Sequence, residues 1–243
     1  MNYSDKLSDL LRVLAAFVTA LIAGFLLKYL LSDLFTGYWY NILLNALCVL
    51  CVTVAAFLLI CGKVYFPEKC KDFSLWELAA FFFSGVFLAC LAGYLSWLLP
   101  THTTTGATPQ GVDLILYAVY TVVLAPVAEE IAFRGAALSR LRNSFHPYIA
   151  ALLSAMLFAA YHMNLAQFPY TFVLGFCFAL VAQRSGNIIP CIILHMLNNL
   201  LTLASALSDK VATVTDFALP ILGMAGILAI ALTKRYKLNN KTD

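Results

Sequence analysis

Hydrophobic residues along this chain come in long unbroken blocks, separated by short stretches rich in Gly, Pro, Asn, Asp and Thr. A membrane-crossing helix needs roughly 20 mostly apolar residues. The pattern predicts eight such segments, at about 11–32, 41–62, 75–99, 112–133, 147–162, 167–183, 188–207 and 215–233. The fifth and sixth are short. Turn signals fall between them: Pro67, the run "THTTTGATPQG", Asn143 to Pro147, "RSGN" at 184–187 and "LSDK" at 207–210. No internal repeat is visible. The expectation is an all-α polytopic membrane protein, one transmembrane domain over residues 1–243.

Composition strengthens this reading. Hydrophobic residues make up 63% of the 243 positions and charged ones 11%, against about 45–50% and about 25% in soluble domains. The first apolar run is longer than a typical signal-peptide core, and Asp5 and Asp9 precede it, so it reads as a retained span. A formal net charge of +3, dispersed over several loops, gives nucleic-acid binding no support.

Basic residues set the expected orientation. Lys6 and Arg12, then Lys63, Lys69 and Lys71, then Arg140 and Arg142, then Arg184, then the C-terminal Lys234, Arg235, Lys237 and Lys241 fall on alternate connections. The first, third and fifth loops carry no Lys or Arg, and the seventh only Lys210. The positive-inside rule then places both termini on the cytoplasmic side of a cell membrane, in a multi-pass chain whose partners include the lipid bilayer. Lys28 is the misfit, accommodated by snorkelling to the interface. Of the seven cysteines, Cys48, Cys51, Cys61, Cys70, Cys90, Cys177 and Cys191, only Cys48 and Cys51 stand at CxxC spacing, mid-block with no His nearby, and all seven read as small apolar packing residues.

Polar groups inside the apolar blocks change the picture. "PVAEEIAFRG", residues 126–135, carries Glu129, Glu130 and Arg134. At about 2.5–3.5 kcal/mol each at mid-bilayer, the three would cost about 8–10 kcal/mol facing lipid unpaired. They must face the bundle interior or a wet cavity, which makes them candidate functional groups. Glu130 and Arg134 are four apart and share a helix face, so they pair. Glu129 lies about 100° around the helix and is left free. A free, partly desolvated carboxylate suits a general base near neutral pH.

Two further blocks carry lone polar residues. "LFAAYHMN" places Phe158 one turn before His162, and "IILHMLNNLL" places His195 four residues before Asn199, with Asn198 adjacent. A single His or Asn in a span is commonly glue between helices. Two His, an Asn and a Glu-Glu-Arg cluster on three separate spans are harder to explain as independent glue. Glu plus two His is also a frequent zinc set, though no HExxH is present. Buried Glu, His and Asn equally occur in transporters and proton relays; the missing repeats and few spans weigh against one.

Taken in order, E-E-x-x-x-R at Glu129, Glu130 and Arg134, F-x-x-x-H at Phe158 and His162, and H-x-x-x-N at His195 and Asn199 resemble the motifs of the CAAX-protease and bacteriocin-processing (CPBP, or Abi) family of intramembrane endopeptidases. The resemblance covers roughly residues 115–205, within a motif-bearing core of about 112–207 in the C-terminal half. It implies peptide-bond hydrolysis, with Glu129 and His162 activating water and His195 and Asn199 stabilising the oxyanion. Glu130, Arg134, Phe158 and Asn198 are supporting residues, Asn198 competing with Asn199 for the place facing the site. No metal or other cofactor is expected, with zinc-dependent hydrolysis as the alternative. A non-catalytic immunity or scaffold protein of the same fold is a further alternative. The expected substrate is a peptide or membrane protein. The short loops and absence of a targeting segment look bacterial, which favours a substrate without a prenyl group.

Overall fold

The computed structural model describes residues 3–31, 38–62 and 111–208, together with the isolated positions 76, 79 and 83. The expected span at 75–99, apart from those three positions, and the span at 215–233, the 67–72 loop, the threonine-rich loop, Cys70, Cys90 and the basic C-terminal tail lie outside the described residues. Six helices and no strand are present among the described residues: α1 (Tyr3–Leu31), α2 (Tyr38–Cys61), α3 (112–142), α4 (Pro147–Tyr161), α5 (Phe168–Ser185) and α6 (Ile189–Leu207). Four stretches are long and apolar enough to cross a membrane: Tyr3–Leu31, Leu43–Cys61, Asp113–Arg142 and Ile189–Leu207. The protein is therefore an all-helical membrane protein in its described part. The count of eight is not reached within it.

Helix α1 is apolar almost all round, with Asp5 in its first turn and Lys28 in its last, the favourable sense for the helix dipole. Its buried stripe is Asp9, Val13, Ala16, Ala20 and Gly24, at helical spacing. Small residues there let α2 approach closely: a Cβ on Gly24 would stand 3.2 Å from Val49 Cγ1. The opposite face leaves Leu11, Val18, Ile22 and Phe25 exposed, as lipid requires and water would not tolerate. At the base of α1, Asp9 forms an ion pair with Arg140 Nε at 2.6 Å and accepts a hydrogen bond from Ser144 Oγ. Asp9 is thus an inter-helix anchor at the Asn143 end of α3.

Helix α3 departs from the sequence expectation in length and in form. The segment expected to end near residue 133 continues to Arg142, so the motif glutamates lie well inside a run of 30 residues. Two wide, π-helical stretches interrupt it, Val119–Leu124 and Ile131–Leu138, flanking the α-helical turn Ala125–Glu130. Pro126 accounts for the first, since its ring crowds the carbonyl four residues back and it has no N–H to offer. Burial of Ala132, Phe133, Arg134, Gly135, Ala136, Ala137 and Leu138 without a break shows that neighbours surround this second stretch.

The remaining helices close around α3. Helix α4 starts with Pro147 in its first turn and buries Ala150, Ala151, Ser154, Ala155, Phe158 and Ala159. Ser154 Oγ donates to the Phe133 carbonyl at 2.9 Å, tying α4 to α3. Helix α5 ends at Gly186, whose φ of 68° supplies the left-handed residue that caps it. The Asn187 side-chain oxygen accepts the Ile189 N–H at 3.0 Å and opens α6. Phe57, Phe133, Phe158 and Tyr161 form a ring cluster joining α2, α3 and α4, with centroids 5.1 to 5.5 Å apart. Among the described cysteines, Cys48, Cys51, Cys61, Cys177 and Cys191 are all free.

Candidate active site

The short α turn between the two π stretches carries both glutamates. Glu130 points inward and is fully buried, and its Oε1 accepts from Arg134 Nη1 at 2.9 Å. Arg134 donates a second hydrogen bond from Nη2 to the Gly175 carbonyl on α5 at 3.1 Å. Its guanidinium lies 4.3 Å from the centroid of the Phe158 ring and 5.5 Å from that of Phe178. This places the cation between two aromatic faces, which offsets part of its lost hydration. Gly175 makes the approach possible: a Cβ there would stand 2.9 Å from Phe158 Cδ1 and 3.3 Å from Arg134 Nη2.

His195 joins the same buried system from α6. Its Nδ1 is 2.9 Å from Glu130 Oε1 and its Nε2 is 3.8 Å from Glu129 Oε2. A carboxylate that already neutralises Arg134 is ionised and only accepts, so His195 Nδ1 is the donor. In the neutral imidazole Nε2 then carries the lone pair; donation through Nε2 requires the imidazolium form. Glu130 Oε2 and Arg134 Nε have no hydrogen-bond partner.

Glu129 stays outside the ion pair, with 12% of its side chain accessible. Tyr120 and Tyr161 are within electrostatic range of its carboxylate, and Tyr161 OH is in turn hydrogen-bonded to Thr53 Oγ1 at 2.8 Å. His162 caps the C-terminus of α4, and its Nδ1 is 2.9 Å from the Phe158 carbonyl. A carbonyl cannot donate, so Nδ1 carries the proton and Nε2 is left as the basic nitrogen of the neutral ring. Met163, immediately after, takes the left-handed φ of 50° that turns the chain away from the helix.

Phe158 is the wedge between the two imidazoles. Its ring is edge-on to His162 at 4.9 Å and to His195 at 5.7 Å, besides lying under Arg134. Asn199 is placed differently: its Nδ2 donates to the Thr121 carbonyl at 2.8 Å, while its Oδ1 accepts from Asn198 Nδ2 at 3.3 Å. Glu129, Glu130, Arg134, Phe158, His162 and His195 are thus linked through direct contacts, and Asn199 is linked through the backbone of α3. Sequence reasoning missed Gly175, Phe178 and the Thr121 carbonyl. Only Pro126 and an isolated glycine in an apolar block hinted at them.

A zinc ion would need three or more converging donors. Among the described residues no group of three His, Cys, Asp or Glu side chains stands ready to hold a metal ion. His195 Nδ1 is spent on Glu130 and His162 Nδ1 on a backbone carbonyl. Both rings keep Nε2 free while Nδ1 is held, an arrangement that metal-ligating histidines also use.

Comparison with known proteins bears on the same segment. Residues 111–201 match the family model described as "Type II CAAX prenyl endopeptidase Rce1-like", the grouping the three motifs pointed to. An Escherichia coli protein described as "Uncharacterized 24.3 kDa protein" is 34% identical over 89 residues, covering 35% of this chain and 41% of that protein. The chain thus matches less than half the length of that relative. No solved structure matches.

Proposed function

We propose that this chain, which matches the Rce1-like family model over residues 111–201, is an intramembrane endopeptidase acting through Glu129, His162, His195 and Asn199. The observation that carries the reading is the division between the two carboxylates. Glu130 is saturated on one oxygen by Arg134 and His195, whereas Glu129 keeps both oxygens free of hydrogen bonds to Arg134 and is partly accessible. One carboxylate is structural, the other available as a base.

In this mechanism Glu129, with the basic Nε2 of His162, takes a proton from a water molecule as its oxygen adds to the scissile carbonyl. The carbonyl π electrons move onto oxygen, and donors from His195 and Asn199 face the resulting oxyanion. The proton then passes to the leaving amide nitrogen, the oxyanion electrons re-form the C=O bond as the C–N bond breaks, and the new acid gives its remaining proton to the amine, so that a carboxylate and an ammonium leave. His195 serves as such a donor in its imidazolium form, with Nδ1 held by Glu130. The substrate class is a peptide or membrane-associated protein without a prenyl group. The matching family is described as one of prenyl endopeptidases, so prenylated peptides are the comparison arm.

Incubating purified protein with a peptide library in detergent, with prenylated and unprenylated members, tests the reading. Cleavage is expected to survive prolonged chelation, and the active protein to lack stoichiometric zinc. A bound zinc whose removal abolishes cleavage and whose return restores it would transfer the two histidines to ligand roles. Absence of cleavage in every arm would remove the endopeptidase reading altogether.

A further inference from the structure

The π turn in α3 leaves one carbonyl over, and Asn199 takes it. At the end of Val119–Leu124 the Ala125 N–H bonds to Tyr120 O, five residues back. Ala125 would be the ordinary partner of Thr121 O in an α-helix, four residues on, but its N–H is spent. The partner at π spacing is Pro126, which has no N–H. Thr121 does not satisfy itself, because its hydroxyl donates to Tyr117 O at 2.8 Å. The Asn199 amide on α6 fills the vacant position, its Nδ2 lying 2.8 Å from Thr121 O.

This bond decides which way the amide faces. A backbone carbonyl only accepts, so the NH2 end of Asn199 is turned toward α3. Its Oδ1 is turned toward Asn198, whose Nδ2 is 3.3 Å away. Both ends of the amide are thereby fixed, and of its two N–H groups one is spent and one remains for another acceptor. Asn198 then supports Asn199 and does not compete with it.

We infer that Pro126, acting through the Thr121 carbonyl, is a positioning residue for Asn199 in peptide hydrolysis, an inference that rests on the endopeptidase reading above. Pro126 stands three residues before Glu129 on the same helix. One residue thus shapes the turn that presents the base and frees the carbonyl that orients the oxyanion donor. The rival role is plain glue, in which a neighbouring helix satisfies a carbonyl that a proline happens to have freed.

Pro126→Ala separates the two, since it returns an N–H that competes for Thr121 O. The expected result is a fall in kcat of about tenfold with KM unchanged, smaller than the roughly 10²–10³ that follows loss of an oxyanion donor. Added to Asn199→Ala, Pro126→Ala should lower kcat no further. An unchanged kcat per folded molecule, or an equal fall in both backgrounds, overturns the inference. A second readout needs no turnover. In protein labelled with 15N-asparagine, the side-chain amide signal missing from Asn199→Ala should show one downfield-shifted proton, and Pro126→Ala should remove that shift. A wild-type Asn199 signal with both protons at solvent-like shifts overturns the inference even where Pro126→Ala does not fold. A chain that cleaves no peptide yet shows the shift would sink the endopeptidase reading and leave the placement of Asn199 standing.

Discussion

At the residue scale the two glutamates differ in what each would cost to lose. Glu130 is buried, ionised, and shared by Arg134 and His195. Glu130→Gln leaves the Arg134 cation without its counter-charge, at about 3–5 kcal/mol for a broken buried pair. The glutamine keeps one acceptor oxygen for His195 but not the charge that Arg134 and His195 share. The variant should therefore be less stable and, per folded molecule, partly impaired, because the group that orients the His195 ring is weakened. Glu129→Gln should fold as wild type and lose nearly all cleavage. Melting temperature in detergent beside turnover per folded molecule checks both. Cleavage that survives Glu129→Gln while folded Glu130→Gln is dead would reverse the two assignments.

Gly175 offers a second test at this scale. It has no unusual backbone angle to explain it; what it lacks is a Cβ where Phe158 and Arg134 Nη2 already stand. Gly175→Ala forces one of them to move, at about 1–3 kcal/mol for overpacking. The shift should disturb His162 and His195 together, because Phe158 touches both rings. Thermal stability and kcat should fall in parallel. An alanine variant with wild-type melting and turnover would show that α5 yields at no cost.

At the element scale the question is what fixes α3 among its neighbours. Along its length Ser154 and the phenylalanine cluster join it to α4 and α2. At its Arg142 end Asp9 binds both Arg140 and Ser144. Asp9→Ala removes an ion pair with Arg140 and the hydrogen bond from Ser144, which as a bond to a charged group is worth about 1.5–3 kcal/mol when intact. Arg140 is partly exposed and water will replace some of that, so a loss of about 2 kcal/mol is expected. Because the anchor lies at the far end of α3 from Pro126, turnover per folded molecule should stay unchanged. Loss of activity in a fully stable Asp9→Ala protein would contradict this separation of anchor and site.

At the scale of the whole molecule, the alternation of Lys and Arg argues for both termini and the 67–72 loop on the cytoplasmic side. Single cysteines placed in a background without the native seven test it by labelling in intact cells. Preferential labelling of that loop from outside would end the eight-span topology and the single-domain organisation built on it.

The amino-acid sequence by itself determined that the chain is helical and membrane-bound, because long apolar blocks have no other stable solution in lipid. It also singled out Glu129, Glu130, Arg134, Phe158, His162, His195 and Asn199, since isolated polar groups in such blocks stand out by their cost alone. Local spacing even carried the Glu130 to Arg134 pair, a contact within one turn of one helix. Contacts between helices were decided by the tertiary structure alone. That His195 binds Glu130 across 65 positions, that Asp9 anchors Arg140, and that Gly175 makes room for a guanidinium are matters of packing with no signature in periodicity. The π register of α3 belongs with them. A proline inside an apolar block can mark an irregularity, but which carbonyl Pro126 would leave over, and which side chain would take it, depended on where α6 came to rest.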